Sequence, residues 1–589
     1  MLRGDVLYQD IYEHKGLYLY FFYMLANLIS QQSYIGIYII ELFIGTAYLF
    51  TAYKISGLYL SRFSYSMAAA ALTAFFTYTP KVYFGGGQCD EFALLPIAIT
   101  IYIAAKYFKK DYPEKISPAK VIFIGILTAV VFWIKYTMLG AFAGLVIYII
   151  YKQVKNKTYK NIAVYAAEFI FGFIIGSMPA ILYFGLNNAF DSLFQVYFYN
   201  LLFIYNPAPH GLGVMLLKML KSPSYAAKIL CPSISLLAAL LYLGLYKGKR
   251  MKGEERFSLL CMYLGNNIMV GMGCNLQYSQ ECLYAFSVVG IVCAFLFLFD
   301  NFQKTKEICL KLLKPAQKII SDIKEKSSTV SLVIYFGFCF AVCALFSNDD
   351  SNIKTCGIIA AFAYLLIKLS DKPESVFLKK HTLNTFIKIK YSIIAAVFLS
   401  TKIFSLNLGF ILILILAVTE LIYDFSSGKL QFSAIKEKTS SVSENLRKKK
   451  SFSKVLPALC LLIFTGTVFA NCKSLYCMGK KLEDYPQYQM SEIIKNSGIE
   501  DPAIIHYGMV DSGIYMLTGE YPPCKYFGYY SIKLDETEQT NHEYIDEGKA
   551  DFIVACKPLE NPSKFKIVYS EDYKFYDGYE PTLYLYQRI

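Results

Sequence analysis

The run GDVLYQDIYEHKG, Gly4 to Gly16, sets the carboxylates Asp10 and Glu13 beside His14 and Lys15 in one turn-rich stretch. A carboxylate can take the proton of a hydroxyl, and an ammonium can hold a phosphate. Hundreds of mostly apolar residues follow, and charge held beside a membrane bundle usually serves a ligand. A second acidic stretch, KVYFGGGQCDEF, joins Gly85, Gly86 and Gly87 to Asp90 and Glu91. The glycines permit irregular backbone and close approach to a ligand. Asp90 reads equally as a ligand group and as a helix N-cap. Lys135, in VVFWIKYTMLGAF, can neutralise a phosphate or snorkel to the interface beside Trp133 and Tyr136. The loop GCNLQYSQECLYAF supplies Gln277, Tyr278, Gln280 and Glu281, a hydrogen-bonding set suited to a sugar; for any one of them the alternative is a solvated turn.

Composition shows what must position these groups. Of 589 residues, 56% are hydrophobic and 17% charged, more apolar surface than a soluble domain hides, and it arrives in blocks of membrane-spanning length. About 14 spans are predicted, near 36–53, 63–79, 92–108, 119–135, 137–151, 162–186, 228–246, 257–273, 283–300, 329–347, 355–369, 391–405, 407–423 and 455–471. The net charge of +14 resides in short loops between these blocks, where it orients helices, so nucleic acid is not an expected partner. The clusters at Lys109–Lys110, Lys152–Lys157, Lys247–Arg250, 304–326, Lys379–Lys380 and Arg447–Lys450 all fall on one side if the spans alternate, the cytoplasmic side. Loops 80–91, 187–227, 274–282 and 348–354 and everything after residue 472 fall on the other, where cations such as Lys135 are scarce. Fifteen cysteines without CxxC pairs and five histidines give no support to a zinc or iron–sulfur site.

Leu17–Ser30 is apolar but short, and counting it as a span scatters the basic loops over both sides; it is predicted as an interfacial helix, with Tyr18, Tyr20, Phe21, Phe22 and Tyr23 at the headgroup boundary. The aromatic stretch 191–206, followed by the NPAPHG turn, reads likewise. Glu41, inside an apolar span, is expected to face the bundle interior and pair with a polar group in a structural role. Stretches 301–328 and 424–454 read as basic linkers, with no phosphate loop or dinucleotide fingerprint. After residue 472 polar residues rise, and AIIHYG, DFIVACK, FKIVYS and TLYLYQ alternate with the helix-like QYQMSEIIKNSG and TNHEYIDEGKA. The expected architecture is mainly α: residues 1–35 as an extracytoplasmic loop and interfacial helix, 36–471 as a polytopic helix bundle, and 472–589 as a small extracytoplasmic α/β domain. Disulfides are permitted at Cys472, Cys477, Cys524 and Cys556, and Asp511 reads as a turn or cap residue.

The ordered set GDVLYQDIYEHKGLYLYFF, an ELF-containing span, GGGQCDEFALLPIAITIY and IKYTMLG resembles the bacterial membrane glycosyltransferases related to protein mannosyltransferases and aminoarabinose transferases, within the GT-C superfamily. The resemblance covers the first third of the chain and is weaker near Tyr278 and in the C-terminal domain. It implies an inverting enzyme of the bacterial plasma membrane that uses a polyprenyl-phosphate-linked sugar donor on the outer face. The acceptor would be a cell-envelope glycan, lipid or protein. Within it, Asp10 is the leading catalytic base, with Glu91 or Asp90 as a binding or secondary acid. Glu13, His14, Lys15, Lys135, Tyr278 and Glu281 would bind substrate, the lysines at the leaving phosphate. No cofactor is expected, and the sequence leaves a divalent metal undecided.

The chain departs from that family in two places. Members carry a first transmembrane helix, with an acidic base candidate at its outer end, ahead of the GDVLYQDIYEHKG motif; Met1 falls after that point, so such a helix and acid are expected upstream. Leu17 stands where the family has a proline after Lys-Gly, which relaxes a turn without removing a reactive group. A flippase of lipid-linked glycans is the competing reading; the lack of a clear internal repeat and the fused outer domain count against it. A third is a non-catalytic scaffold presenting residues 472–589.

Overall fold

A computed structural model describes residues 1–31, 33–60, 62–78, 86–204, 230–246, 248, 250–272, 278–301, 481–508, 513–528, 534–573 and 581–589. The N-terminal part is a helical bundle: α1 Leu17–Ile29, α2 Ile35–Tyr59, α3 Phe63–Thr77, α4 Cys89–Lys106, α5 Pro118–Lys135, α6 Gly140–Lys155 and α7 Tyr159–Leu186, followed by helices Leu230–Gly244, Gly253–Met272 and Ser287–Asp300. Among the described residues, five segments are long and apolar enough to cross a bilayer: Ile35–Tyr59, Cys89–Asp111, Pro118–Met138, Tyr159–Leu186 and Gln280–Asp300. The chain is therefore a multi-pass membrane protein. The spans expected at 329–347, 355–369, 391–405, 407–423 and 455–471 lie outside the described residues, as do the NPAPHG turn, most of the two basic linkers, Gly85, Gln277, Cys472, Cys477 and Asp511.

At 13 residues, α1 reaches about 20 Å, short of the bilayer core of about 30 Å. It packs through aromatic contacts, Phe22 stacking on Phe92 of α4 and Phe21 meeting Tyr183 of α7 edge-on. The described part of the expected aromatic stretch, up to Ile204, is also helical, turning from Phe190–Leu193 into a wider coil over Phe194–Ile204. The span expected at 137–151 begins later than predicted: a single 3-10 turn, Tyr136–Met138, separates α5 from α6. That break leaves Lys135 at a helix end. One face of α7 packs closely on α5, and its Phe171, Ile174, Ile175 and Met178 are exposed, as a lipid-facing surface requires.

The C-terminal part carries four strands, β1 Ile504–Tyr507, β2 Phe552–Ala555, β3 Phe565–Asp572 and β4 Thr582–Arg588, in the order β1-β2-β4-β3, with β1 and β2 parallel and the other pairs antiparallel. Alternate residues face opposite sides, as strand geometry dictates: Ile504, Phe552, Val554 and Leu585 pack with Met490 and Ile494, while Ile505, Ile553, Ala555 and Tyr586 pack with Ile545 and Leu559. β1 and β2 fall within runs expected from sequence, while β3 and β4 begin with theirs and run on to Asp572 and Arg588. Cys524 and Cys556 are free thiols.

The bundle has two chemically different ends. At one, Lys152 meets Glu254 at 3.4 Å, the Lys252 Nζ donates to the Lys109 carbonyl at 3.0 Å, and Lys109 lies over the Tyr59 ring at 4.3 Å, so three basic clusters converge. At the other, the C-terminal domain meets the N-terminal loop. Tyr12 N–H donates to the Lys525 carbonyl at 3.0 Å, the Tyr12 and Tyr526 rings lie 5.2 Å apart, and the Arg3 guanidinium covers the Tyr521 ring at 3.6 Å.

Candidate functional site

The N-terminal loop is pinned by its own residues. The Asp10 carboxylate accepts Val6 N–H at 2.6 Å and closes a tight turn, and Tyr183 of α7 accepts Leu7 N–H at 2.9 Å. Tyr8, fully buried at φ +70°, stacks between Phe184 and Tyr197 and donates its hydroxyl to the Lys15 carbonyl at 2.5 Å. That left-handed backbone is costly for a bulky residue and persists because ring and hydroxyl are both fixed.

Gly16 then seats the loop on α5. Its N–H donates to the Ile134 carbonyl at 3.0 Å, and a Cβ there would stand 2.0 Å from the Trp133 carbonyl oxygen. Only a residue without a side chain allows this approach. Lys15 and Lys135 each adjoin one end of that hydrogen bond, so the two cations, 120 positions apart in the chain, are brought to one place. Cys89 of α4 lies within electrostatic reach of both.

Carboxylates meet these cations in two arrays. In the first, Glu13 Oε1 accepts His14 N–H at 2.7 Å and lies 3.1 Å from His14 Nδ1, while Lys15 Nζ stands 3.1 Å from His14 Nε2. An ammonium only donates, so Nε2 accepts and Nδ1 carries the ring proton toward Glu13. Burial pushes the Glu13 pKa up, but the hydrogen bonds and electrostatic influence of His14, with Lys15 beyond, outweigh it and hold the carboxyl below its ordinary value. In the second, Lys135 Nζ donates to Asp90 at 3.0 and 3.3 Å, and Cys89 Sγ donates to the same carboxylate at 3.2 Å. Asp90 is not the N-cap; that position belongs to Gln88, and Asp90 and Glu91 occupy the first turn of α4. The helix dipole favours both there, but the geometry directs Asp90 to Lys135.

Behind this front lies a buried acidic layer. Glu41, in the second turn of α2, accepts the Gly87 N–H and meets the Glu91 carboxyl, and Tyr23 donates to the Gly87 carbonyl at 3.0 Å. Gln280 and Glu281, for which a solvated turn was the alternative, are buried: Glu281 is fully enclosed, within reach of Asp90 and Glu41, and Asn266 donates to the Cys282 carbonyl at 3.1 Å. The Tyr278 side chain lies outside the described set. Among the described residues, no group of three His, Cys, Asp or Glu side chains has the arrangement of a metal site.

The structure thus gathers Glu13, His14, Lys15, Asp90 and Lys135 at one end of the bundle, sets Glu91 and Glu281 behind them, and leaves Asp10 on the exposed turn that Lys525 approaches. Tyr8, Gly16, Cys89 and Lys525 were not singled out from sequence. The Lys-Gly pair ahead of an aromatic helix was the available signal for Gly16; nothing local marks Lys525.

No protein-family model matches the sequence, nor does any curated protein. Among solved structures, the chain is similar to ArnT from Cupriavidus metallidurans in the apo state, at 11% identity over 98% of this chain and 88% of that one, with a TM-score of 0.43. It is also similar to the same protein bound to undecaprenyl phosphate, at 10% identity over 99% and 91%, with a TM-score of 0.46.

Proposed function

We propose that this chain is an integral-membrane glycosyltransferase that moves a sugar from a polyprenyl-phosphate carrier to an acceptor hydroxyl on the extracytoplasmic face. The observation that carries this reading is the Gly16–Ile134 hydrogen bond, which joins the backbone beside Lys15 to that beside Lys135, the first with Glu13 in electrostatic reach beyond His14 and the second gripping Asp90. Such an array suits a lipid phosphate that must gain negative charge in the transition state while an adjacent hydroxyl loses its proton. The side follows from the two ends of the bundle: the end where Lys109, Lys152 and Lys252 converge is assigned to the cytoplasm, and the N-terminal loop with the C-terminal domain to the exterior.

In this mechanism the acceptor oxygen attacks the anomeric carbon as a carboxylate takes its proton. The carbon–oxygen bond to the phosphate breaks, its electron pair leaves with the phosphate, and the configuration inverts. Glu13 fits the proton-accepting role better than Asp10, which was expected from sequence. Glu13 is held ionised within the lysine array, whereas Asp10 is exposed and already accepts the Val6 N–H. Asp90 holds Lys135 in place, and the fully enclosed Glu281, expected from sequence to bind substrate, stands behind it without reaching the donor sugar.

Transfer from a radiolabelled polyprenyl-phosphate sugar, measured in membranes, tests the proposal. Glu13→Gln should lower turnover by about 100-fold or more, with Asp10→Asn much milder. Full turnover in Glu13→Gln would remove Glu13 from the chemistry. Movement of the intact glycolipid across the bilayer with no sugar transferred would replace the reading by a flippase.

A further inference from the structure

Glu41 lies in the second turn of α2, one of the membrane-crossing helices, with 4% of its surface exposed. Its Oε1 accepts the Gly87 N–H, and its carboxyl meets that of Glu91, 50 positions on in α4. Gly87 is itself clamped: Tyr23 holds its carbonyl, its φ is +68°, and a Cβ there would lie 2.3 Å from the Tyr23 hydroxyl. Glu41 therefore touches both the segment that leads into α4 and the turn that presents Asp90 to Lys135.

Ionised carboxylates are acceptors only, so two carboxyls hydrogen-bond to each other only when one carries a proton. The surroundings decide which one. Glu91 sits in the first turn of α4, where the helix N-terminus favours negative charge; Glu41 sits beyond the first turn of α2, where that support has fallen off. The groups facing the pair are Tyr23 from α1, Tyr38 from α2, Tyr78 at the end of α3, Asp90 of α4 and Glu281 from the 3-10 turn. Asp90 is already matched to Lys135, so a second charge on the pair would add to an acidic layer in a low-dielectric interior.

We propose that Glu41 is a positioning residue that carries the single proton of a Glu41–Glu91 pair, donating it to Glu91 from one oxygen while the other accepts the Gly87 N–H, and so fixes the first turn of α4. The positioning part rests on the transferase reading above; the shared proton does not.

The test uses the purified full chain in lipid vesicles and two variants. Glu41→Gln is a neutral isostere that keeps one acceptor and one donor; Glu41→Leu keeps neither. At neutral pH the infrared spectrum should show a protonated-carboxyl band that Glu41→Gln removes. Transfer by Glu41→Gln should stay close to the parent rate and lose the parent's fall at alkaline pH, because the amide cannot ionise. Glu41→Leu should lose about tenfold or more, the effect of removing hydrogen bonds that involve charged groups. Persistence of the band in Glu41→Gln overturns the shared proton whatever the transfer assay shows. Parent-like transfer in Glu41→Leu overturns the positioning role, and a loss in Glu41→Gln as deep as in Glu41→Leu shows that Glu41 is needed ionised and overturns the assignment. Removal of the band upholds the shared proton even if no form of the protein transfers sugar, a result that would count only against the glycosyltransferase.

Discussion

The ammonium of Lys135, at the last residue of α5, grips the carboxylate of Asp90, in the first turn of α4, at 3.0 and 3.3 Å. The pair is lopsided: the Asp90 side chain is wholly enclosed, while that of Lys135 is 23% exposed. A cation already matched in the resting protein can still serve a phosphate, but only within reach of the anion that holds it.

This asymmetry predicts an ordered set of stabilities. Lys135→Met strands a buried carboxylate, a change that costs about 3–5 kcal/mol in comparable pairs, whereas Asp90→Asn leaves an ammonium that can turn toward water. The double variant Asp90→Asn, Lys135→Met should recover most of the melting temperature lost in Lys135→Met, yet should not recover transfer. Recovery of both would make Lys135 a purely structural cation.

Gly16 offers a sharper probe because no charge changes. Gly16→Ala drives a methyl group into the Trp133 carbonyl, and overpacking of this kind costs about 1–3 kcal/mol. Relief requires the loop to lift from α5, which carries Lys15 away from Lys135. Donor affinity and turnover should both fall while the C-terminal sheet keeps its circular-dichroism signal. An alanine variant with parent kinetics would show that the two lysines do not act together.

Much of the fold was readable because it follows from periodicity and apolar length, as in Ile35–Tyr59 and in the four strands of the C-terminal domain. The charged residues of the site were readable too, since Lys15, Asp90 and Lys135 stand out against apolar surroundings. Their partners were not. That Lys135 is held by Asp90 rather than left for a ligand depends on how α4 and α5 cross, and that Asp10 is spent on Val6 depends on a turn closed by φ +70° at Tyr8. Likewise, burial of the Glu281 turn comes chiefly from packing against α4, with Gly253–Met272 behind, which no local pattern encodes.

Glu13 makes the acid behaviour predictable. Its folded pKa is depressed below the ordinary 4.5, so its contribution to stability is present above that value and is lost as pH falls through the lower folded pKa. Glu13→Gln lacks this contribution at every pH. Melting curves of parent and variant should therefore differ at neutral pH and converge in acid, below about pH 4. A gap that stays constant down to pH 3, roughly a unit below the unperturbed value, would mean that the carboxyl gains nothing from His14 and Lys15.

The C-terminal domain should steady the N-terminal loop from above. Tyr12 N–H is bonded to the Lys525 carbonyl, and the Tyr12 and Tyr526 rings flank that bond. Tyr526→Ala removes an aromatic contact worth about 0.5–1.5 kcal/mol, so opening at the seam should become up to about tenfold more frequent. Amide hydrogen exchange reads this directly: residues 6–16 should exchange faster, while β1 and β2, whose pairing is internal to the domain, should keep their protection. Because Lys15 belongs to the loosened segment, turnover should drop in the same variant. Faster exchange confined to residues 520–528, with 6–16 unchanged, would show that α5 and α7 alone hold the loop and that the domain only rests upon it.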